Sequence, residues 1–204
     1  MNKEGILIVV SGFSGAGKGT IMKALLERYD NYALSISATT RNPRPGEEEG
    51  KAYFFKTTEE FEKMIAKDDL IEYAMYVGNY YGTPLDYVKQ KLDEGKDVVL
   101  EIEVQGALQV KNVMPDACFI FIAPPSMEEL RNRIMTRGTE AMEVINKRMQ
   151  KAESEIGLAH EYDYIVINDT VENARDRIMA IIEAEHSRSN RVLEYYNKNI
   201  VEVE

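Results

Sequence analysis

A chain of 204 residues, 44% of them hydrophobic, is long enough to close one domain, or one core with insertions, around a substantial apolar interior. Its formal net charge of −10 argues against a surface built for nucleic acid or anionic membrane, so any arginine cluster must be local and purposeful. No apolar run approaches the ~20 residues that span a bilayer. Ile6-Leu7-Ile8-Val9-Val10, after a polar start, is too short for a secretory signal, and a cytoplasmic protein is expected.

That first apolar run is mostly β-branched and predicts a buried parallel strand. Ile21, Leu25 and Tyr29 follow at helical spacing, so Gly12, Gly15, Gly17 and Gly19 lie on a strand-to-helix turn. There Gly12-x-x-x-x-Gly17-Lys18 reads as a phosphate cradle. A helix N-terminus presents unpaired N–H groups, glycine lets the backbone approach an anion, and Lys18 reaches the outer phosphates. The position after the lysine, where a hydroxyl usually faces Mg²⁺, is Gly19, and the hydroxyl comes one residue later as Thr20.

Residues 35–83 have a different texture: the stiff stretch RNPRPGEEEG, then Tyr53-Phe54-Phe55, then short aromatic runs around Gly78-Asn79. Antiparallel strands with a hairpin are predicted, as a small lobe beside the sheet. Arg41 and Arg44, flanking Pro43, suit a phosphate held by bidentate hydrogen bonds. Glu72, inside the apolar LIEYA, needs hydrogen-bond donors that a purine base could supply.

Further strands are predicted at 98–104, Cys118–Ala123 and Tyr164–Ile167, alternating with helical patterns, which implies a parallel sheet covered by helices on both faces. Glu101 and Glu103 alternate with Leu100, Ile102 and Val104, placing both carboxylates on one strand face, where an acid near a phosphate loop organises Mg²⁺ or its waters. Thr57-x-x-Glu60 and Ser126-x-x-Glu129 have capping-box spacing, and Pro84 suits a first helical position. Arg133 and Arg137 lie one turn apart on a helix, and Arg148 follows in the next, a second basic group suggesting a second phosphate-bearing ligand. The lone Cys118 reads as a small buried hydrophobe, and His160 and His186 as helix-surface residues. The longest helix is expected from about 171 towards 197.

The stretches SGFSGAGKGT, SISATTRNPRPGEEEGKAYFF, IEYAMYVGNYYGT, LEIEVQGA, FIAPPS, RGTE, INKRM and YDYIVIND together resemble bacterial guanylate kinases over nearly the full length. The resemblance implies an α/β P-loop nucleoside-triphosphate-binding fold, with a core (1–34, 84–125 and 159–204), a GMP-binding lobe (35–83) and a helical lid (126–158). It implies transfer of the γ-phosphoryl group of ATP to GMP, with dGMP as an expected second acceptor, using Mg²⁺. Gly12, Phe13, Ser14, Gly15, Ala16, Gly17, Lys18, Gly19 and Thr20 would hold the ATP phosphates, with Arg137 and Arg148 closing over them from the lid, Arg133 nearby, and Asn168 near the adenine. Ser37, Glu72 and Glu103 would surround guanine; Arg41, Arg44, Tyr53 and Tyr81 would hold the GMP phosphate, with Glu47 and Thr83 completing that lobe. Lys18, Arg41, Arg133, Arg137 and Arg148 are the expected catalytic cations, and Thr20 and Glu101 the expected metal contacts, direct or through water. The family often has Ser at position 19 and Asp at 101 and 103, so the metal geometry here departs from its pattern.

Two rival readings are weighed. A guanylate-kinase-like interaction module, binding a phosphorylated peptide without catalysis, would be expected to lack the loop lysine and lid arginines, whereas Lys18, Arg137 and Arg148 are present. Gly-Lys-Gly-Thr also resembles the adenylate kinase loop, but TTRNPRPGE and GNYYGT favour GMP. No nucleic-acid or membrane partner is expected, and homo-oligomerisation is left open.

Overall fold

The computed structural model describes residues 4–29, 31–137 and 142–199. Strand β1 (Leu7–Gly12) runs through the phosphate loop into α1 (Lys18–Leu26), and then come the short strands β2 (Tyr32–Leu34), β3 (Ala38–Thr39) and β4 (Phe54–Phe55). Helix α2 (Thr58–Ala66) leads to the hairpin β5 (Leu70–Tyr76) and β6 (Asn79–Pro84), then α3 (Leu85–Asp93). The chain continues through β7 (Asp97–Glu101), α4 (Val104–Val113), β8 (Cys118–Ala123), α5 (Met127–Arg137) and α6 (Met142–Ile156). It ends in β9 (Tyr164–Ile167), α7 (Val171–His186) and α8 (Ser189–Asn199).

Five strands form a parallel sheet in the order β2-β7-β1-β8-β9. Every residue of β1 is buried, and Val9 pairs with Leu100 on one side and Phe119 on the other, as expected of a central strand whose apolar run has no alternation. Helices flank this sheet, and their apolar faces join one large core that includes Ile21, Leu25, Val110, Leu130, Ile145 and Ile178. The connections leaving β1 and β8 run to opposite edges, which opens a crevice at the carboxyl ends of these strands.

The remaining strands form a mixed four-stranded sheet, β4-β3-β6-β5. It has its own small apolar cluster of Ala38, Phe61 and Leu70, with Phe61 stacked on Tyr80 at 5.1 Å. Helix α2 begins with a complete capping box: Thr57 Oγ1 accepts from Glu60 N–H at 3.1 Å, and Glu60 Oε2 accepts from Thr57 N–H at 2.7 Å. The Ser126 hydroxyl accepts from Glu129 N–H at 3.0 Å, as its spacing predicts.

Several expectations are corrected. The strand placed at 98–104 stops at Glu101, and Glu103 is the extended N-cap of α4 (φ −75°, ψ 161°), so Glu101 and Glu103 do not share a strand face. Pro84 ends β6 and caps α3 from outside rather than opening it. The hairpin turn falls on Val77-Gly78, both at positive φ, one residue before the expected pair. Strand β2, with its half-exposed Tyr32 and Ala33, has no apolar run to announce it. The single helix expected over 171–197 is two, broken at Ser187. Buried Glu185 gathers Tyr164 Oη (2.7 Å) and Arg188 (3.2 Å) at that point. His186 is not a free surface group: its Nε2 lies 2.9 Å from Oδ2 of buried Asp97, whose Oδ1 accepts from Ile6 N–H.

Candidate active site

The phosphate loop is held by two close approaches that leave no room for side chains. A Cβ on Gly12 would come 2.1 Å from the Ile122 carbonyl oxygen, and one on Gly17, at φ 92°, would come 2.5 Å from Asn168 Nδ2. Asn168, nearly fully buried just past the end of β9, donates from that nitrogen to the Ala16 carbonyl at 2.6 Å and so braces the loop from behind. Gly17 is the left-handed N-cap of α1, and Lys18 is its first helical residue. The Lys18 ammonium donates to the carbonyls of Gly12 (2.7 Å) and Phe13 (3.2 Å), which hold it over the loop. Burial lowers its pKa, against the opposing pull of Glu101, Glu155 and Glu103. Phe13 itself belongs to the core, edge-on to Phe121 at 5.0 Å, so only its backbone can face a ligand.

Gly19 and Glu101 are neighbours: a Cβ at position 19 would be 3.7 and 3.8 Å from the two carboxylate oxygens. The Glu101 residue reaches solvent, yet crowding around its carboxyl raises its pKa, an effect that Lys18 partly offsets. An open cavity of about 390 Å³ adjoins this pair, lined by Met22, Leu26 and Leu34 among others. The Glu101 carboxylate and the exposed Thr20 hydroxyl are hard oxygen donors of the kind Mg²⁺ prefers. Among the described residues no three His, Cys, Asp or Glu side chains cluster so as to hold a metal ion.

A second group of arginine and tyrosine side chains gathers on the four-stranded sheet. Thr39 Oγ1 donates to the Tyr80 carbonyl and accepts from Arg41 N–H, which fixes where the Arg41 side chain starts. Its guanidinium is gripped by both oxygens of Glu47 at 2.9 Å and lies over the Tyr53 ring at 5.3 Å. Glu47 also accepts from Arg44 N–H at 2.8 Å, and the Tyr53 ring packs against Tyr81 with centroids 6.1 Å apart. Arg41, Arg44, Glu47, Tyr53 and Tyr81 are thus one assembly.

Glu72 is buried on β5, with one oxygen accepting from Thr83 Oγ1 at 2.7 Å. Its other oxygen would be 3.1 Å from a Cβ at Gly106, in the first turn of α4. Burial pushes its carboxyl pKa up, and the Thr83 bond opposes this only in part. Ser37 is half-buried just before β3, and its carbonyl accepts from Phe54 N–H. Glu103 is mostly exposed and pairs with Lys151 Nζ at 2.8 Å, a partner on α6 that sequence reading missed because nothing in its local pattern marks it.

Of the helical arginines, Arg148 reaches the loop and donates to Ser14 Oγ at 2.9 Å. Arg133 is bound to Glu129 (2.8 Å) and to the Asn168 carbonyl (3.0 Å), a bracing position. The side chain of Arg137, and the Gly138-Thr139-Glu140 that follows it, lie outside the described residues.

Residues 4–185 match the family model described as guanylate kinase. The chain belongs to the guanylate kinase family. A guanylate kinase of Lactococcus lactis is 58% identical over 96% of this chain and 96% of its own. One of Bacillus subtilis is 57% identical over the full length of both. The crystal structure of the guanylate kinase from Anaplasma phagocytophilum superposes with a TM-score of 0.72 at 35% identity, covering 99% of this chain and 98% of that one. Family membership agrees with the α/β fold and with a loop built for nucleotide phosphates.

Proposed function

We propose that the protein transfers the γ-phosphoryl group of ATP to GMP, giving ADP and GDP. The observation that supports this reading is two cation-bearing groups on one chain, the glycine loop with Lys18 and Arg148 and the Arg41–Glu47–Tyr53 assembly, together with the buried carboxylate of Glu72. Loop residues 12–20 hold the triphosphate, with Arg137 and Arg148 closing over it from the lid, while Asn168, buried and bound to the Ala16 carbonyl behind the loop, braces it instead of meeting the adenine. Arg41, Arg44, Tyr53 and Tyr81 hold the GMP phosphate, with Glu47 holding Arg41. Ser37, Glu72, Thr83 and Glu103 read guanine. Residues 35–83 act as a GMP lobe and 126–158 as a lid on the remaining core.

Phosphoryl transfer asks little covalent chemistry of a protein: it needs the reactants in line and positive charge on the transferring group. Lys18, Arg41, Arg137 and Arg148 supply that charge, and Arg133 holds the frame behind it. Mg²⁺, held by Thr20 and Glu101 directly or through water, would neutralise charge on the β- and γ-phosphates. We place the protein in the cytoplasm; among the described residues no helix is long and apolar enough to cross a membrane.

The test is ADP release from ATP in a coupled assay, with GMP, dGMP, AMP, UMP and CMP in parallel. Turnover with GMP far above AMP, UMP and CMP is expected. Silence with all five would return the chain to a binding role, and a preference for AMP would overturn the guanine assignment.

A further inference from the structure

Strand β5 is an edge strand, paired to β6 on one side alone. Such a strand leaves backbone N–H and C=O groups without ladder partners along its outer side. At Tyr73, the residue after Glu72, one side chain takes both groups. Gln109 Oε1 accepts from Tyr73 N–H at 3.1 Å, and Gln109 Nε2 donates to the Tyr73 carbonyl at 3.1 Å. A carboxamide presents one acceptor and one donor side by side, as a neighbouring strand would. The reversed orientation would set donor against donor and acceptor against acceptor, so these two bonds fix the amide's orientation.

Gln109 belongs to α4, and so do the other groups that bear on Glu72. Gly106, one turn earlier on the same helix face, has its missing Cβ position 3.1 Å from Glu72 Oε2. Glu103 caps the same helix. The pairing of β5 with β6 shifts register between Leu70 and Glu72, so the ladder is irregular on the inner side just where Glu72 must be placed. On the outer side, Gln109 takes both backbone groups of the next residue, Tyr73.

We propose that Gln109 is a positioning residue for guanine recognition: its carboxamide clamps the Tyr73 peptide to α4 and so holds Glu72 against the first turn of the helix that also carries Glu103. The inference rests on the reading of Glu72 as the guanine acceptor. Both bonds are at the protein surface, and Tyr73 is 40% exposed, so little of the global stability depends on them. What they set is the spacing of two carboxylates, and misplacing a recognition group by an ångström costs up to ~10²-fold.

The experiment compares the full-length wild type with Gln109→Met, which keeps length without the two bonds, Gln109→Glu, which keeps only the acceptor, and Glu72→Gln. Steady-state kinetics and equilibrium titration with GMP and IMP are read beside thermal unfolding; IMP lacks the exocyclic N2 amine. Gln109→Met should raise KM for GMP by about tenfold or more and shrink the GMP-to-IMP preference, while KM for ATP and kcat at saturating GMP stay within about twofold. Gln109→Glu should fall between it and the wild type, and it carries the test if Gln109→Met does not fold. An unchanged KM for GMP, or a uniform loss in kcat and both KM values with a lowered Tm, overturns the inference. If Glu72→Gln shifts the GMP-to-IMP preference and the Gln109 variants do not, the inference fails alone; if Glu72→Gln shifts nothing, the reading beneath it fails too.

Discussion

Lys18 donates to the carbonyls of Gly12 and Phe13, and it can turn from those oxygens to phosphate oxygens with little movement of its stem. Replacing it by alanine removes a preorganised charge from the reacting group. Lys18→Ala should therefore lower kcat by at least ~10²-fold with an unchanged circular dichroism spectrum; near-normal turnover in the folded variant would exclude the loop assignment. Glu72 makes a different demand. Its buried carboxylate has Thr83 as one donor, and guanine offers two adjacent N–H groups, at N1 and N2, where adenine presents a lone pair at N1. Hydrogen bonds to a charged group are worth about 1.5–3 kcal/mol each, so Glu72→Gln should cut kcat/KM for GMP by roughly tenfold to a few hundredfold. KM for ATP should hardly move, and an unchanged GMP-to-AMP ratio would sink the assignment. Cys118 sits fully buried on a central strand, with its thiol pKa pushed far up by burial. It should resist a thiol reagent at pH 8 in the native protein and react fully in denaturant; prompt native labelling would contradict that burial.

At the level of elements, the hairpin between β5 and β6 contains a conflict between sequence and backbone. Val77 occupies the left-handed region at φ 48° and is 80% exposed, so a β-branched side chain is strained there with no packing to offset it. Asn tolerates that region and favours such turns, so Val77→Asn should stabilise the protein by about 0.5–1 kcal/mol without touching activity. A Tm that stays or falls would show that the turn holds Val77 at no cost. The same hairpin shows what a sequence reveals and what it hides. Its existence is legible in the aromatic runs around a glycine, but its turn residues are not, because Val77 is a poor candidate on local grounds. Strands β1 and β8 are legible because a buried parallel strand is a continuous apolar run, and edge strand β9 is legible from the same kind of run although its Ile165 and Ile167 are exposed. Glu103 is misread because Ile102 and Val104 continue the alternation of β7 past its end; only the fold shows that Val104 opens a helix. The break at Ser187 is hidden for a related reason: no Gly or Pro marks it, and distant Tyr164 meets Glu185 there. At the site, the glycine loop is legible from its motif, whereas Lys151 and Gln109 act through partners 48 and 36 residues away.

Taken whole, the molecule has two sheets; the smaller has a cluster of its own, Ala38, Phe61 and Leu70, while Ile71 of its edge strand β5 joins the large core. Such a lobe can turn about the segments that join it to the rest, near residues 35–37 and 84–85, with Ile71 and the Gln109 bonds to Tyr73 keeping β5 against α4. The proposed lid packs into the core through Leu130, Ile134, Ile145 and Ala152 and also makes polar contacts there: Arg148 to Ser14, and Lys151 to Glu103, an exposed ion pair worth little by itself. Both contacts end on groups assigned to the substrates, so nucleotide binding competes for them directly. We therefore predict that ATP and GMP together draw lobe and lid over the crevice. Closure would exclude water, a competing acceptor for the phosphoryl group, and would bring the arginines to the reacting oxygens only when both substrates are present. Small-angle scattering with GMP and a non-hydrolysable ATP analogue should show a smaller radius of gyration than either nucleotide gives alone. Arg137→Ala, removing a cation that acts only in the closed state, should depress kcat far more than it weakens GMP binding. The same scattering profile with and without both nucleotides, or an equal loss in kcat and GMP affinity, would count against closure as the step that assembles the site.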